Sequence, residues 1–448
     1  MNSPLSTLRK DGQTLQWHGL ALMPLVRAHG SPLRLTHLPS IGQRIDQAKS
    51  WFKAAMQQHD HDGKYHYSYC LKASPLRCVV DEVLKHDCHL EASGSVDLAM
   101  IQQLIDQQHL PADRMVLCNG YKTSDYVDAM LAMHQRGQVQ LIPILDSPSE
   151  FHRLKGMQTD SEALTLGLRI ATMHGQRSRH GIAPDQVQSF VRNELNPAPW
   201  AKLVMVHAFM EGSMDGSEAY LQSLQEVMDC YVALKAMCPD LNRLNLGGSL
   251  PIEDDLSPGR SQSDIIHGIV DLLTTTCREQ SIDLPDLVTE FGAYTVSESG
   301  ATLFQVLDEK TQATGPSWYQ IDSSIITTLP DTWAKKKVFP CEAINHLGAQ
   351  RQMAQVVGLT CDKDDCYPAQ ALPVLTHGDA LYVGMFHTGA YQEGLSGYGG
   401  MKHCMVPAAK HLVIDGPVDQ PQVTVYAQPQ SPGQMLKLLE GGNSHGEP

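Results

Sequence analysis

Eight short apolar runs alternate with longer stretches of helical period from about Tyr65 to Gly292, and this alternation constrains the fold more than any other feature of the chain. The runs are His66–Leu71, His89–Ala92, Met115–Asn119, Leu141–Leu145, Leu166–Ala171, Leu203–Ala208, Arg243–Leu246 and Leu287–Glu290. Between them lie segments with helical spacing, among them Pro75–His86, Val96–Gln107, Asp125–Gln135, Ser217–Met237 and Asp264–Cys277, with Ser95 and Ser124 placed as caps. A strand followed by a helix returns the chain parallel to itself. Eight such units predict an α/β fold, a (β/α)8 barrel of the TIM type, whose chemistry sits at the carboxyl ends of its strands.

A length of 448 residues exceeds one such core and predicts a second, smaller domain. After about Gly300 the pattern shortens, with Pro330, Pro340, Pro368 and Pro373 and glycine-rich turns at Gly394–Gly400, which predicts β-rich structure. The expected division is a barrel over 30–300 and a β-rich domain from 1–29 plus 301–448. The tail from Gln420 to Pro448 is rich in Pro, Gln and Gly and is expected to fray.

Thirty-four basic residues against 49 acidic ones leave a formal charge of −15, which repels phosphate backbones and anionic lipid surfaces and argues against a nucleic-acid partner. The polar N-terminus lacks a basic segment feeding an apolar one, and no window has the apolar length that spans a bilayer, so a cytoplasmic protein without a membrane partner is expected. Eleven cysteines, an odd number in mostly apolar surroundings, read as reduced thiols rather than a disulfide framework.

The strand ends hold the candidate chemistry. Lys72 follows the first run, and is either a solvated strand-end lysine or an amine that, partly desolvated, loses its proton near neutrality and forms a Schiff base with a carbonyl cofactor. Gly247-Gly248-Ser249 follows the seventh run and is either a tight turn or a place where backbone amides approach a phosphate. Glu290 ends the eighth run, as a structural ion-pair partner or as the carboxylate that keeps a pyridine nitrogen protonated, the state in which the ring is a strong electron sink.

The strings Tyr69-Cys70-Leu71-Lys72, Leu90-Glu91-Ala92-Ser93, Cys118-Asn119-Gly120-Tyr121-Lys122, Leu329-Pro330-Asp331-Thr332-Trp333-Ala334 with Phe339-Pro340, Thr360-Cys361-Asp362-Lys363-Asp364 and Gly389-Ala390-Tyr391-Gln392-Glu393 occur in this order. Together they resemble the fold type III pyridoxal-phosphate decarboxylases, in particular the biosynthetic arginine decarboxylases, relatives of the ornithine and diaminopimelate enzymes. The resemblance covers roughly Pro32 to Tyr391. It implies an alanine-racemase-like barrel with pyridoxal 5'-phosphate as cofactor and Lys72 as its covalent anchor. It implies Glu290 at the pyridine nitrogen, Gly247, Gly248 and Tyr391 at the phosphate, Ser213 as the cofactor-binding serine that follows the sixth strand, and a homodimer with shared active sites. In that dimer Cys361 and Asp362 reach the partner's site, the cysteine for protonation and the aspartate for the substrate's distal cation. Asp362, Asp364 and Asp365 supply three carboxylates for a basic substrate tail.

Two positions depart from the family pattern. The histidine that stacks on the ring aligns with Met210 without gaps and with His207 if a short insertion is allowed, and the phosphate arginine after the eighth strand is replaced by Ala293. Lys122, Arg169 and His403 are the candidate compensating cations. The chain is also shorter than those arginine decarboxylases. A further group, Lys402-His403-Cys404 with Cys361 and Cys366, has zinc-ligand chemistry but lacks the close ligand pairs of zinc motifs, so no metal is expected. The expected function is decarboxylation of a basic amino acid, arginine-like, giving a polyamine precursor. The alternatives are another pyridoxal-phosphate reaction, such as a different decarboxylation or a racemisation, and a non-catalytic paralogue that binds a regulatory partner.

Overall fold

The computed structural model describes residues 7–155, 163–172, 179–209, 214–252, 255–256, 258–375, 378–395, 400 and 402–440. The chain divides into two compact units, Gly42–Thr295 and Met1–Ile41 with Val296–Pro448.

In the first unit eight strands close into a barrel: β1 (Tyr65–Cys70), β2 (His89–Ala92), β3 (Met115–Cys118), β4 (Gln140–Leu145), β5 (Leu164–Ala171), β6 (Ala201–Phe209), β7 (Arg243–Asn245) and β8 (Asp286–Glu290). Every neighbouring pair is parallel, and β8 closes the ring on β1 through the register Glu290↔Ser68. Buried on both faces, the strands read as nearly continuous apolar runs, which is why they are legible without alternation. Met115, Leu117, Ile142, Ile144, Val204, Met205 and Val288 form one buried cluster. Its members come from β3, β4, β6 and β8, strands on different sides of the ring, so the cluster is the filled interior.

The predicted helices are present, including Arg77–Leu84, Ser95–Asp106, Ser124–Arg136, Glu218–Lys235 and Gln262–Glu279. Ser217 and Ser261 cap the last two by accepting from Tyr220 N and Asp264 N. Ser95 and Ser124, expected as caps, are instead first helical residues behind Gly94 and Thr123. The Ser95 hydroxyl donates to Asp125 of the next helix at 2.6 Å, a partner that sequence spacing does not reveal.

The second unit is β-rich. Its main sheet runs Gln370–Pro373, Arg351–Val357, Ser317–Ile321, Gly300–Lys310, Leu33–His37, Lys410–Asp415 and Gln422–Ala427 in spatial order, with Leu381–Phe386 and Cys341–Ala343 paired off this path. Phe304, Tyr319, Ile321, Val356, Tyr367 and Met385 belong to its core. Leu33–His37 lies at the centre of the sheet, between Gly300–Lys310 and Lys410–Asp415, so residues around 30–41 belong here rather than to the barrel. The tail is more ordered than its composition predicts. Gln422–Ala427 pairs antiparallel with Lys410–Asp415, and helix Pro432–Leu439 is started by a capping box between Ser431 and Gln434. All eleven cysteines are free. Among the described residues no helix is long and apolar enough to cross a membrane.

Candidate active site

Strand β1 ends at Cys70, and a single 3-10 turn, Leu71–Ala73, carries Lys72 just beyond it. Its side chain is 45 % exposed, and its Nζ donates to Oε2 of Glu91, fully buried on β2, at 2.7 Å. Glu91 Oε1 accepts from Ser93 Oγ at 3.1 Å and from Asn119 Nδ2 at 2.9 Å. The same Asn119 nitrogen donates to Glu290 Oε2 at 2.9 Å. Glu290 further accepts from Asn245 Nδ2 at 2.7 Å and lies 3.3 Å from His207 Nε2. The barrel mouth therefore holds one continuous network from the amine of Lys72 to the carboxylate of Glu290, built from the ends of β1, β2, β3, β6, β7 and β8.

Electrostatics sets two charge states in this network. Burial works to raise the Glu290 carboxyl, but the facing His207, then Lys72 and the Asn245 amide, pull it down to about 2, so it is ionised at neutrality. Burial works to lower the Lys72 amine, but its acidic neighbours Cys70, Glu91 and Glu290 outweigh burial and hold it well above the usual lysine range. In this arrangement the amine is held charged, rather than losing its proton near neutrality as expected from its strand-end position. The sequence shows the lysine but not the buried carboxylate that folding sets against it.

Gly247 and Gly248 follow β7 at the point where three strand ends close together. Gly247 has φ +70°, and a Cβ there would lie 2.7 Å from the Ala208 carbonyl oxygen. A Cβ on Gly248 would lie 2.4 Å from the Glu290 carbonyl oxygen. Both positions exclude a side chain for packing reasons, independently of any ligand. Asn119 and Asn245, and Glu91 between Leu90 and Ala92, carried no assigned role in the sequence reading. Their signal is a polar residue at the carboxyl end of an otherwise apolar inner strand.

Two of the three candidates for the missing phosphate cation, Lys122 and Arg169, are engaged elsewhere. Lys122 is fully buried, paired with Glu150 at 3.4 Å and donating to the Gly120 carbonyl at 2.9 Å and to that of Ile144. Arg169, on β5, is paired with Asp146 at 3.7 Å. His403 is in the other unit, beside Cys404 at 3.2 Å. Met210 and Ser213 lie outside the described residues. His207 is inside the barrel next to Glu290, on β6 in register with Asn245 of β7.

The second unit carries the remaining candidates. Cys361 is exposed, and Asp362 accepts from the Asp364 amide at 2.8 Å with its other oxygen 3.8 Å from His403 Nε2. Asp364 is exposed and paired with Lys363 at 2.9 Å. Asp365 is corrected from a substrate ligand to a structural residue. Only 3 % exposed, it accepts from Ile325 N at 2.7 Å, Ile326 N at 3.1 Å, Ser324 Oγ at 3.1 Å, Thr360 N at 3.1 Å and Thr360 Oγ1 at 2.7 Å, which uses its lone-pair sites. Tyr391 has φ +67° and stands under the Lys335 ammonium at 5.2 Å.

These residues suit a phosphorylated pyridine aldehyde. A half-exposed amine and a carboxylate held ionised share one barrel mouth, and two buried polar atoms there, Asn119 Oδ1 and His207 Nδ1, have no hydrogen-bond partner among the described residues. Residues 43–297 match the family model for the pyridoxal-dependent decarboxylases, pyridoxal binding domain.

The chain belongs to the pyridoxal-dependent decarboxylase family.

This family member is 20 % identical to a biosynthetic arginine decarboxylase of Nostoc, over 82 % of this chain and 72 % of that protein. It is 25 % identical to one of Alkalilimnicola ehrlichii over 65 % of this chain, where the match spans only 49 % of the relative. Among solved structures, the biosynthetic arginine decarboxylase of Campylobacter jejuni superposes with a TM-score of 0.84 at 16 % identity, covering 97 % of this chain and 91 % of that one. Diaminopimelate decarboxylase of M. jannaschii gives 0.82 at 15 % identity, over 97 % and 98 %. This decarboxylase therefore shares their barrel and β-rich second unit, and its cofactor is pyridoxal 5'-phosphate.

Proposed function

We propose that this chain decarboxylates a basic amino acid, arginine-like in its cationic tail, to give an amine of the kind that feeds polyamine synthesis. The observation that carries the reading is the network joining Lys72 to the ionised Glu290 at the barrel mouth. When bound, pyridoxal phosphate supplies the electron sink for the pair left behind as the α-carboxylate departs as carbon dioxide. Lys72, Glu290, His207, Gly247 and Gly248, with Ser213 and Tyr391, are the residues that would hold it.

Each residue then has a definite task. Glu290 keeps a negative charge at the barrel axis, which favours a protonated pyridine nitrogen. Glu91 takes the Lys72 ammonium while the amine is free, and so sets how readily Lys72 gives up or accepts a proton. After carbon dioxide leaves, Cys361 or Lys72 returns a proton to the α-carbon. Asp362 pairs with the distal cation of the substrate, with Asp364 beside it. In a homodimer Cys361 and Asp362 would act in the partner's site. A cytoplasmic setting suits a reduced thiol in this role.

The test is carbon dioxide release screened over arginine, ornithine, lysine and diaminopimelate, together with borohydride reduction and peptide mapping. The expected results are release from a basic substrate and a pyridoxyl adduct on Lys72. An adduct without release from any of the four overturns the substrate class. No adduct overturns the whole reading and favours a non-catalytic paralogue.

A further inference from the structure

Two loops of the β-rich unit, one carrying Cys361 and the other His403 and Cys404, bring together three side chains that ligate soft cations. The Sγ atoms of Cys361 and Cys404 are 3.5 Å apart, and His403 Nδ1 is 3.2 Å from Cys404 Sγ. One donor atom from each of the three lies within 4.8 Å of the other two. A tetrahedral zinc ion bonded at about 2.3 Å to sulfur and about 2.0 Å to nitrogen holds its ligand atoms roughly 3.5–3.8 Å apart. Two of the three pairs, Cys361–Cys404 and His403–Cys404, are within a few tenths of an ångström of that spacing, and the third lies within 4.8 Å. Cys366, the other thiol of this segment, is not in the group.

The histidine is oriented as well as close. Its Nδ1 faces the sulfur, while its Nε2 is 3.8 Å from Asp362 Oδ2. At that distance the carboxylate is an electrostatic neighbour of the imidazole, close enough to favour a positive charge nearby but not hydrogen-bonded to the ring. The amide of Cys361 points at Cys404 Sγ at 3.5 Å, which favours the thiolate that a metal needs. With two thiolates and one imidazole the set is three-coordinate, and the fourth position is open to water or another ligand.

We propose that Cys361, His403 and Cys404 form a binding site for a thiophilic divalent cation, zinc first among them. Resting on the reading of Cys361 as a proton donor, occupancy would withdraw its thiol from catalysis and make the enzyme reversibly sensitive to zinc.

The experiment is a titration of the reduced, pyridoxal-phosphate-loaded full chain with cobalt(II), followed by displacement with zinc. Expected are thiolate-to-cobalt charge transfer and tetrahedral visible bands that saturate at one equivalent and vanish on adding zinc. Cys404→Ser and His403→Ala should each weaken binding at least tenfold, while Cys366→Ser leaves it unchanged. No charge-transfer band at one equivalent, or binding that survives in both Cys404→Ser and His403→Ala, overturns the site. Carbon dioxide release measured in parallel separates the two readings. Zinc that inhibits the native chain but not Cys404→Ser supports both. Zinc that binds stoichiometrically without inhibiting keeps the site and removes Cys361 from the catalytic step.

Discussion

The ammonium of Lys72 lies 2.7 Å from a carboxylate oxygen of Glu91, a side chain with no exposed surface. A buried anion of this kind is tolerable only when paired and hydrogen-bonded, and Glu91 has Lys72, Ser93 and Asn119 for the purpose. The pair holds the lysine in its charged form.

Replacing Glu91 with Gln removes the hydrogen-bonded one of the acidic neighbours that raise the Lys72 amine. The expected outcome is faster capture of pyridoxal phosphate by the apo-protein at neutral pH, about tenfold for each unit by which the amine falls, because only the neutral amine attacks. Stopped-flow absorbance across pH measures it. An unchanged pH dependence would show that Glu91 does not govern the amine.

Glu290→Gln should lower kcat by on the order of 100-fold, as loss of one preorganised electrostatic group commonly does. Its effect on stability should also depend on pH. The folded carboxyl is depressed to about 2, so its stabilisation, a few kcal/mol, is fully present above the ordinary carboxylate range and is lost as pH falls toward 2. Urea unfolding of both proteins at pH 7 and near pH 2.5 should show the gap between them narrow in acid.

Gly248→Ala forces a Cβ to within 2.4 Å of the Glu290 carbonyl oxygen, and Gly247→Ala adds a strained positive φ. Each should cost about 1–3 kcal/mol, read as a lowered urea midpoint, with cofactor affinity falling in step because the same turn carries both.

Asp362 and Asp365 should separate cleanly. Asp362→Asn is expected to raise KM for a basic substrate roughly ten- to a hundredfold with little change in the thermal midpoint. Asp365→Asn removes acceptor capacity from a buried carboxylate that holds five donors, and should lower the melting temperature while leaving substrate preference alone. A substrate-specific KM effect from Asp365→Asn would restore it to the binding set.

Lys122→Met leaves Glu150 fully buried without its ion-pair partner and should destabilise the barrel by about 3–5 kcal/mol. Any soluble fraction should bind pyridoxal phosphate with native affinity, since Lys122 is spent on Glu150 and two carbonyls. A large rise in the cofactor dissociation constant would return it to the phosphate site.

The local pattern was enough to locate every barrel strand to within two residues, because parallel strands buried on both faces must be apolar runs bounded by turns. It located Lys72 and Glu290 for the same reason, as charged residues where such runs stop. Helix caps were read less well. Ser95 has the right chemistry one residue too late, and its hydroxyl serves Asp125 instead. Composition misjudged the tail, since a Pro-Gln-Gly segment can still pair at a sheet edge and start a capped helix.

By itself, then, the order of amino acids determined the barrel and set Lys72 and Glu290 at the ends of its first and eighth strands, which follow from periodicity along the chain, while a covalent role for Lys72 is what the family resemblance implies. Folding alone decided the partners. Asn119 meets Glu290 across 171 residues, Cys361 meets Cys404 across 43, and Asp365 turns inward to Ser324 rather than outward to a substrate. Such contacts arise when a sheet closes or two loops converge, and that closure depends on the packing of the whole unit rather than on spacing within any one segment.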